Sequence, residues 1–237
     1  MHESLARDRL YVTVDILILT VRDSRLRLLL GRRADPPFAG RWALPGRFVG
    51  LDETAETAVR RLIGEMLTPE ETFLEQLYTF TGVDRDPRGR VISTAYLVIL
   101  PWRRLEAALA REGARLRSFE LRLDGGRLAL TDGGEALDVE SLAFDHGRII
   151  ETGLLRLRGK LDYTDIGFRF LNDPEAFLLG ELQEVFEAVL DRRIDTSNFR
   201  RTILTRYETA GRIEQTDQSN RRGRGRPAAL YRFNEQY

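Results

Sequence analysis

One stretch of the chain decides the fold, because a turn-prone loop runs directly into an amphipathic helix. The loop reads Leu44-Pro45-Gly46-Arg47-Phe48-Val49-Gly50-Leu51-Asp52-Glu53. After it, apolar residues recur at the spacing of one helix face, at Ala55, Ala58, Val59, Leu62, Ile63 and Met66. This periodicity predicts a helix over residues 53–67 that Pro69 ends. The stretch therefore predicts a shaped loop at the start of a packed helix.

Strand-like runs rich in β-branched and aliphatic residues surround this loop and helix. They span residues 11–21, 26–30, 73–80 and 91–100. A break at Asp23-Ser24 predicts that the first two form a hairpin, and a charged turn at 84–90 separates the last two. Residues 35–46 are rich in Pro and Gly and favour turns. We therefore predict the α+β class for this half of the chain.

Further elements follow before the composition changes. Residues 103–113 predict a helix and 117–131 a hairpin built on Asp124-Gly125-Gly126, a pair that resembles an insertion. A helix from about 145 to 161 leads into the second zone. The predicted domains are residues 1–150, a connecting helix end and linker at 151–168, and residues 169–237.

The final zone predicts two helices followed by a basic hairpin. The apolar stripe of the first helix comprises Leu178, Leu179, Leu182, Val185, Phe186, Val189 and Leu190. The second helix begins at Asp195, which can cap it, and ends at Gly211. Its stripe comprises Phe199, Ile203 and Tyr207. A basic turn at 218–227 and a strand-like run at 229–233 complete the outline of a winged helix-turn-helix domain.

The charge is balanced overall but not along the chain. The 237 residues carry 37 basic and 37 acidic side chains, yet residues 191–232 hold eleven arginines against five acids. A basic region of this kind favours a nucleic-acid partner. The absence of cysteine excludes disulfides and thiolate metal sites. Because the apolar run at 11–21 is too short to cross a bilayer, we expect a cytoplasmic protein without a membrane partner.

The loop and helix at 44–67 resemble the Nudix box of nucleoside-diphosphate hydrolases, which implies a Nudix-like α/β/α sandwich. That family's pattern is glycine, five residues, glutamate, seven residues, and then Arg-Glu-apolar-x-Glu-Glu-x-Gly. Glu53 and Arg61 match the pattern. Arg47 stands at the opening glycine and Thr68 at the closing one. The resemblance therefore includes departures at both ends of the motif.

The carboxylates of the motif are also incomplete. Of its three helix glutamates, Glu65 remains, while Leu62 and Met66 occupy the other two positions. Hydrolysis in this family uses clustered carboxylates to hold Mg²⁺. We therefore predict no catalytic residue, no metal site and no required cofactor. Glu56 and Glu65 are equally interpreted as exposed helix charges in i,i+4 pairs, and His146 as a residue near a helix N-terminus.

A site with these departures suits binding of a phosphorylated nucleotide or sugar without cleavage, because a guanidinium pairs well with phosphate. The predicted ligand contacts are Arg32, Arg33, Phe38, Trp42, Arg47, Arg85 and Arg88. The arginines would hold phosphates, and the two aromatic rings would stack on a base. The alternative is that the loop arginines are merely solvated and that Trp42 fills the core.

Residues 10–234 as a whole resemble the Nudix-related transcriptional regulators, bacterial repressors or activators that join a Nudix-like sensor to a winged helix. The segments that carry the resemblance are residues 36–46, 84–90, 157–163, 181–188 with 198–201, and 225–228. The resemblance implies a homodimer formed through the sensor and control of NAD or sugar metabolism genes. It also implies ADP-ribose as the effector in the NAD branch and pentose-type ligands in others.

In a winged helix, the second helix enters the major groove of DNA. The predicted contacts on this helix are Ser197, Asn198, Arg200, Arg201 and Thr205, and those on the wing are Arg221, Arg222, Arg224 and Arg226. Asn198 suits adenine, and the helix arginines suit guanine or phosphate. The wing arginines suit phosphates or a minor groove.

The sequence therefore predicts a ligand-responsive regulator that binds double-stranded operator DNA. One alternative is an active Nudix pyrophosphohydrolase with an accessory basic nucleic-acid-binding domain. Another is an RNA-binding or protein-interaction module, because winged helices also serve those functions.

Overall fold

The computed structural model describes residues 10–67, 72–220 and 228–235. The larger part is a mixed sheet with helices on both faces. Its strands are β1 (Tyr11–Arg22), β2 (Arg25–Arg32), β3 (Trp42–Ala43), β4 (Gly46–Phe48), β5 (Phe73–Phe80), β6 (Val91–Ile99), β7 (Leu116–Asp124), β8 (Arg127–Asp132) and β9 (Glu135–Leu137). Its helices are α1 (Ala55–Met66), α2 (Trp102–Glu112) and α3 (His146–Leu161). This arrangement confirms the α+β prediction.

The sheet has the order β5-β6-β1-β2-β7-β8-β9, with β3 on β2 and β4 on β1. β1 and β6 run parallel, and the other pairs are antiparallel. The predicted hairpin is present as β1 and β2. The segment predicted as an insertion instead extends the central sheet, because β7 pairs with β2 along residues 116–120.

The long apolar run of β1 is buried on both sides of the sheet, as expected for a central strand. Ile16 and Ile18 pack with the buried face of α1 and with α2. Leu17 and Leu19 point the other way, into a core that contains the buried face of α3. α1 is slightly shorter than the predicted 53–67, because the Thr54 side chain caps its N-terminus. Residue 69, predicted to end it, lies outside the described residues.

The C-terminal part is a winged helix, as predicted. It contains α4 (Leu179–Leu190), α5 (Thr196–Ile203), β10 (Ile213–Asn220) and β11 (Ala228–Phe233). Asp195 caps α5 by accepting a hydrogen bond from the Asn198 N–H at 2.8 Å. A π-helical turn, Leu204–Glu208, continues α5, and Gly211 follows with a φ of 66°. Phe199, Ile203 and Tyr207 face the core, as the periodicity predicted.

The two parts share one hydrophobic core. A continuous cluster of buried residues runs from Leu17 and Phe119 in the sheet, through Leu157 of α3, to Phe186 and Phe199 of the helix-turn-helix. Fully buried aliphatic and aromatic side chains of this kind each contribute about 1.5–3 kcal/mol of transfer free energy. The winged helix is therefore packed onto the sheet-containing part of the molecule through α3 and α4.

Candidate functional site

A charged pocket opens where the Nudix-box loop meets the start of α3. Twelve residues line it: Thr13, Asp15, Arg33, Leu44, Gly46, Arg47, Phe48, Arg85, Asp86, Arg88, Phe144 and His146. Four of the lining side chains are arginines and two are aspartates. The pocket therefore combines an excess of guanidinium groups with the aromatic surfaces of Phe48 and Phe144.

The structure brings four of the seven predicted ligand residues into this lining, namely Arg33, Arg47, Arg85 and Arg88. The other three lie beside it. The Trp42 ring packs edge-on against Phe119 at 5.2 Å between centroids, the core position that the sequence left open. The Phe38 ring packs against Phe144 from behind at 5.0 Å, and Arg32 donates to the Gly40 carbonyl.

The floor of the pocket is a buried ion-pair network. Asp15 accepts a hydrogen bond from the Ser93 hydroxyl at 2.5 Å and lies 3.3 Å from Nη2 of Arg85. Arg85 also donates to both carboxylate oxygens of Asp145, at 2.7 and 3.1 Å. Because its side chain is only 4% exposed and shared by two carboxylates, Arg85 is a structural cation of the floor. A ligand can reach it only at its edge.

His146 completes this network. Its Nδ1 accepts a hydrogen bond from the Leu44 N–H at 2.8 Å, so the ring proton lies on Nε2, which faces Asp15 at 3.5 Å. Burial alone would raise the pKa of Asp15, but His146, the Ser93 hydroxyl and Arg85 outweigh it and lower that pKa. Asp15 therefore stays ionised inside the protein.

Gly46 is required by this network. A Cβ atom at Gly46 would lie 2.2 Å from an Asp15 carboxylate oxygen and 2.8 Å from the Val14 carbonyl. The close approach of the loop backbone to a buried carboxylate therefore leaves room for glycine alone. This contact explains why the turn-prone loop carries a glycine at this point.

The arginines at the rim are held by partners in the same chain. Arg47 pairs with Glu65 at 2.6 Å. Arg88 forms a two-pronged pair with Asp86 at 2.7 and 3.0 Å, and its guanidinium stacks over the Phe48 ring. These contacts fix the direction of each guanidinium before a ligand arrives.

Arg33 is held differently, because it donates to the Pro37 carbonyl at 2.8 Å and stacks over Phe144. Burial and the neighbouring Arg88 lower its pKa from the ordinary arginine value. Its guanidinium therefore contributes positive charge to the pocket beside an aromatic face.

Sequence reasoning missed the buried acids, His146 as a lining residue, and the two lining phenylalanines. Asp15 was visible as a carboxylate inside an apolar strand. Phe48 lies in the quoted loop and is 44% exposed. Phe144 has a left-handed backbone, with a φ of 55°, a conformation that a non-glycine residue adopts rarely and often at functional sites.

The Nudix-box helix does not gather its carboxylates into a cluster. Glu53 accepts hydrogen bonds from Arg61 at 2.5 Å and from the Gly50 N–H at 2.8 Å, which lower its pKa. Glu56 pairs with Arg60 one turn along the helix, as one interpretation of the sequence expected. Leu62, at a glutamate position of the motif, packs into the core. Among the described residues, no group of three or more acidic, histidine or cysteine side chains is arranged to hold a metal ion.

The DNA contacts predicted for the second helix of the winged helix lie on the outer face of α5 and on the π-helical turn that follows it. Ser197, Asn198, Arg200, Arg201 and Thr205 are all exposed. Arg201 donates to Oδ1 of Asn198 at 2.7 Å, and Arg200 to the Tyr231 hydroxyl at 3.2 Å. The predicted wing contacts Arg221, Arg222, Arg224 and Arg226 lie outside the described residues. Within the part of the chain that is described, no helix is long and apolar enough to span a membrane.

Known proteins resemble both parts of the chain. The sequence model of the NUDIX domain family matches residues 11–140. The sequence model of the NrtR DNA-binding winged helix domain family matches residues 167–233. The ADPR responsive transcriptional repressor NtrR of Acinetobacter baylyi is 31% identical over 225 residues, which cover 94% of this chain and 81% of that protein. An ADP-ribose pyrophosphatase of Methanocaldococcus jannaschii is 33% identical over 149 residues, which cover 62% of this chain and 77% of that protein.

A solved structure matches both domains together. The crystal structure of Shewanella oneidensis NrtR complexed with a 27mer DNA aligns with a TM-score of 0.76 and 32% identity, covering 94% of this chain and 93% of that one. An alignment that covers 94% of this chain extends over both the Nudix domain and the winged helix. The chain therefore belongs to the family of Nudix-related transcriptional regulators that join a Nudix domain to an NrtR-type winged helix.

Proposed function

We propose that this protein is a transcriptional regulator that binds an operator in double-stranded DNA through α5 and the wing. In this proposal its Nudix domain senses ADP-ribose or a related phosphorylated nucleotide or sugar. One observation carries the proposal. A single hydrophobic core joins an arginine-lined pocket to a helix that exposes Arg200 and Arg201. The first group of arginines suits phosphates of a small molecule, and the second suits DNA.

The pocket contains two groups of residues, which suit two different parts of the expected ligand. Arg33, Arg47 and Arg88 offer guanidinium groups to phosphates, while Phe48 and Phe144 offer aromatic faces to a base or sugar. Because Arg47 and Arg88 are already paired with carboxylates, a ligand needs more than one negative charge to compete for them. A diphosphate meets this requirement.

We infer that the Nudix domain binds its ligand without hydrolysing it, so that no metal or other cofactor is required. Glu53 and Glu65 are each engaged by arginine, and Leu62 is part of the core. Hydrolysis would need several carboxylate oxygens around Mg²⁺. Likeness to the Acinetobacter repressor supports repression that responds to ADP-ribose. Control of NAD metabolism genes, and action in the cytoplasm, are carried into the proposal from the sequence analysis.

We also propose a homodimer, because winged-helix regulators read paired half-sites with two copies. Exposed apolar side chains at the start of β1 and near the Nudix-box loop offer a surface for it. They are Leu10, Tyr11, Val12 and Leu51. The molecular mass in solution, measured by light scattering, tests this part of the proposal: a monomer at micromolar concentration would contradict it.

The regulator function is tested by fluorescence anisotropy with duplex DNA from upstream of the protein's own gene. Binding is measured at two salt concentrations, with and without ADP-ribose, and against a scrambled duplex. We expect selective, salt-sensitive binding whose affinity changes with ADP-ribose. Selective binding that ignores ADP-ribose would retain the regulator and require another effector, such as a pentose phosphate. Equal binding to both duplexes would contradict the proposal.

Likeness to the Methanocaldococcus pyrophosphatase favours one second candidate, an active Nudix pyrophosphohydrolase with an accessory basic nucleic-acid-binding domain. Incubation with ADP-ribose and Mg²⁺, followed by chromatography for AMP, tests it. We expect no AMP above a protein-free control. Multiple turnovers by the purified protein would make this candidate the better one.

A further inference from the structure

Among the described residues, α3 alone connects the pocket to the DNA-binding helix. It begins at the pocket and ends beside the turn that continues α5. Phe144, just before it, and His146, its first residue, both line the pocket. Its 16 residues span about 24 Å and end at Leu161, directly before a short loop, residues 162–165, that contacts the end of α5. We call residues 162–165 the α3 loop.

The N-terminal end of α3 is connected to the pocket by an ion pair and by a neutral hydrogen bond. Asp145, its N-cap residue, does not cap the helix with its side chain and instead binds Arg85 of the floor. His146 holds the Leu44 N–H of the Nudix-box loop. A ligand that presses on Phe144 or shares the charge of Arg85 therefore acts directly on the start of α3.

The loop at the C-terminal end of α3 is hydrogen-bonded to the segment that follows α5, the helix expected to enter the major groove and called here the recognition helix. The Tyr207 hydroxyl donates to the Thr164 carbonyl at 2.6 Å, and Arg206 donates to the Asp162 carbonyl. Arg212 pairs with Asp165 at 2.5 Å. All three donors lie in or just after the π-helical turn that continues α5, a kind of irregularity that often accompanies functional sites.

Between these ends α3 is packed too tightly to bend freely. Ile149, Ile150, Leu154, Leu157 and Leu161 have almost no exposed surface. Gly153 lies so close to the sheet that a Cβ atom there would be 2.0 Å from the Leu17 side chain. Close-packed elements of this kind move as rigid bodies between discrete positions.

We propose that α3 couples the pocket to the DNA-binding helix, a regulatory role that rests on the proposed function. Ligand contact with Phe144 and Arg85 displaces the start of α3, and the α3 loop transmits the displacement to Tyr207 and the end of α5. The effect on DNA affinity arises because the two helix positions place Asn198, Arg200 and Arg201 differently on the major groove. The hydrogen bonds and the ion pair of the α3 loop are the contacts through which the displacement reaches α5.

Tyr207→Phe tests the proposal, because it deletes the bond to Thr164 while the ring keeps its place in the core. The measured quantity is the coupling factor, the ratio of the DNA dissociation constants with and without ADP-ribose. We expect this factor to fall about threefold or more toward unity, the effect of one hydrogen bond. The affinity for ADP-ribose, measured by calorimetry without DNA, should change less than about twofold, since Tyr207 does not line the pocket.

Asp165→Asn is the second variant, because it removes the negative charge of the Arg212 pair in the same loop, at a partly exposed position. Asp191→Asn is the matched control. It breaks the Arg122–Asp191 pair, a different contact between the sheet and the helix-turn-helix, and asparagine tolerates the left-handed backbone of residue 191. We expect a reduced coupling factor for Asp165→Asn and an unchanged one for Asp191→Asn.

The outcomes separate this proposal from the function on which it rests. A native protein whose DNA affinity ignores ADP-ribose and related phosphates would overturn the proposed sensing and the coupling role with it. A responsive native protein with full coupling in both loop variants would overturn only the role of α3. Equal losses in the loop variants and in Asp191→Asn would also overturn it, because any contact between the two parts would then serve.

Discussion

Three of the four arginines of the pocket have a different kind of partner from the two exposed arginines of α5. In the pocket, Arg47, Arg85 and Arg88 each contact a carboxylate of their own chain at 2.6 or 2.7 Å. On α5, Arg200 and Arg201 hydrogen-bond neutral groups among the described residues, the Tyr231 hydroxyl and the Asn198 side-chain oxygen. In the pocket, the partners neutralise the charge of each guanidinium. On α5, the partners orient the guanidinium without neutralising its charge.

This difference matches two kinds of recognition. A compensated guanidinium releases its carboxylate only to a strong competitor. We therefore expect the pocket to discriminate against ligands with a single weak negative charge. An oriented but uncompensated guanidinium remains available to a polyanion and adds to long-range attraction. Substitutions in the two groups should therefore affect different properties, stability in the pocket and DNA affinity on the helix.

The largest effect is expected for Arg85→Ala. The substitution leaves Asp15 and Asp145 without their shared cation in a buried site, and removal of one partner from such a network costs about 3–5 kcal/mol. Urea unfolding followed by circular dichroism measures the loss. Arg60→Ala is the matched control, because its pair with Glu56 is exposed and should change the free energy of unfolding by less than about 0.5 kcal/mol. Similar losses in both variants would erase the proposed contrast.

The next effect is expected for Arg201→Ala, which should leave stability nearly unchanged and weaken operator binding. A bidentate contact to a base contributes about 1–3 kcal/mol, so the dissociation constant should rise about tenfold or more. Anisotropy titrations at several salt concentrations separate two roles. A loss confined to the native operator indicates base recognition, whereas a uniform loss with a smaller salt slope indicates a phosphate contact. Operator affinity equal to that of Arg60→Ala would contradict the assignment.

Local patterns predict the elements of this fold well. The apolar spacing of α1, the stripe Phe199, Ile203 and Tyr207, and the cap Asp195 all depend on residues a few positions apart, and the structure contains each of them. Turn residues likewise predict the β7–β8 hairpin. These signals arise within one helix turn or one strand pair, so the sequence alone expresses them.

The composition of the pocket could not be predicted in the same way. Asp15 meets Ser93 because β1 runs parallel to β6, and it meets Arg85 and His146 across 70 or more residues of chain. No local pattern encodes these distances. The same reasoning explains Trp42, whose place against Phe119 depends on the pairing of β2 with both β3 and β7.

Acid should act on the pocket through its carboxylates. The pKa of Asp15 is lowered in the folded protein, because His146, Ser93 and Arg85 outweigh burial, and Arg88 lowers that of Asp86 against the effect of burial in the same way. Such groups contribute stability that is present above their ordinary pKa of 3.8 and lost as the pH falls through the lowered values.

We therefore expect the free energy of unfolding to fall as the pH drops below about 4. Urea titrations at intermediate pH values measure the fall. Asp15→Asn should start from a lower stability and show a flatter pH profile, whereas Glu56→Gln, on the exposed face of α1, should follow the native profile. A native profile in Asp15→Asn would show that this carboxylate does not carry the acid sensitivity.

The smallest effect is expected for Tyr231→Phe, which removes the neutral partner of Arg200 and keeps the buried ring. Because the hydroxyl directs the guanidinium without compensating its charge, its loss should weaken operator binding only about two- to fivefold, through the extra freedom of one side chain. The salt slope should stay unchanged, since the number of positive charges on α5 is the same. Arg200→Ala is the comparison, and it should weaken binding further and, if Arg200 contacts a phosphate, reduce the slope. If Tyr231→Phe weakened binding as much as Arg200→Ala, the hydroxyl would contribute to DNA recognition itself, and the division between directing partners and compensating partners would fail on the helix.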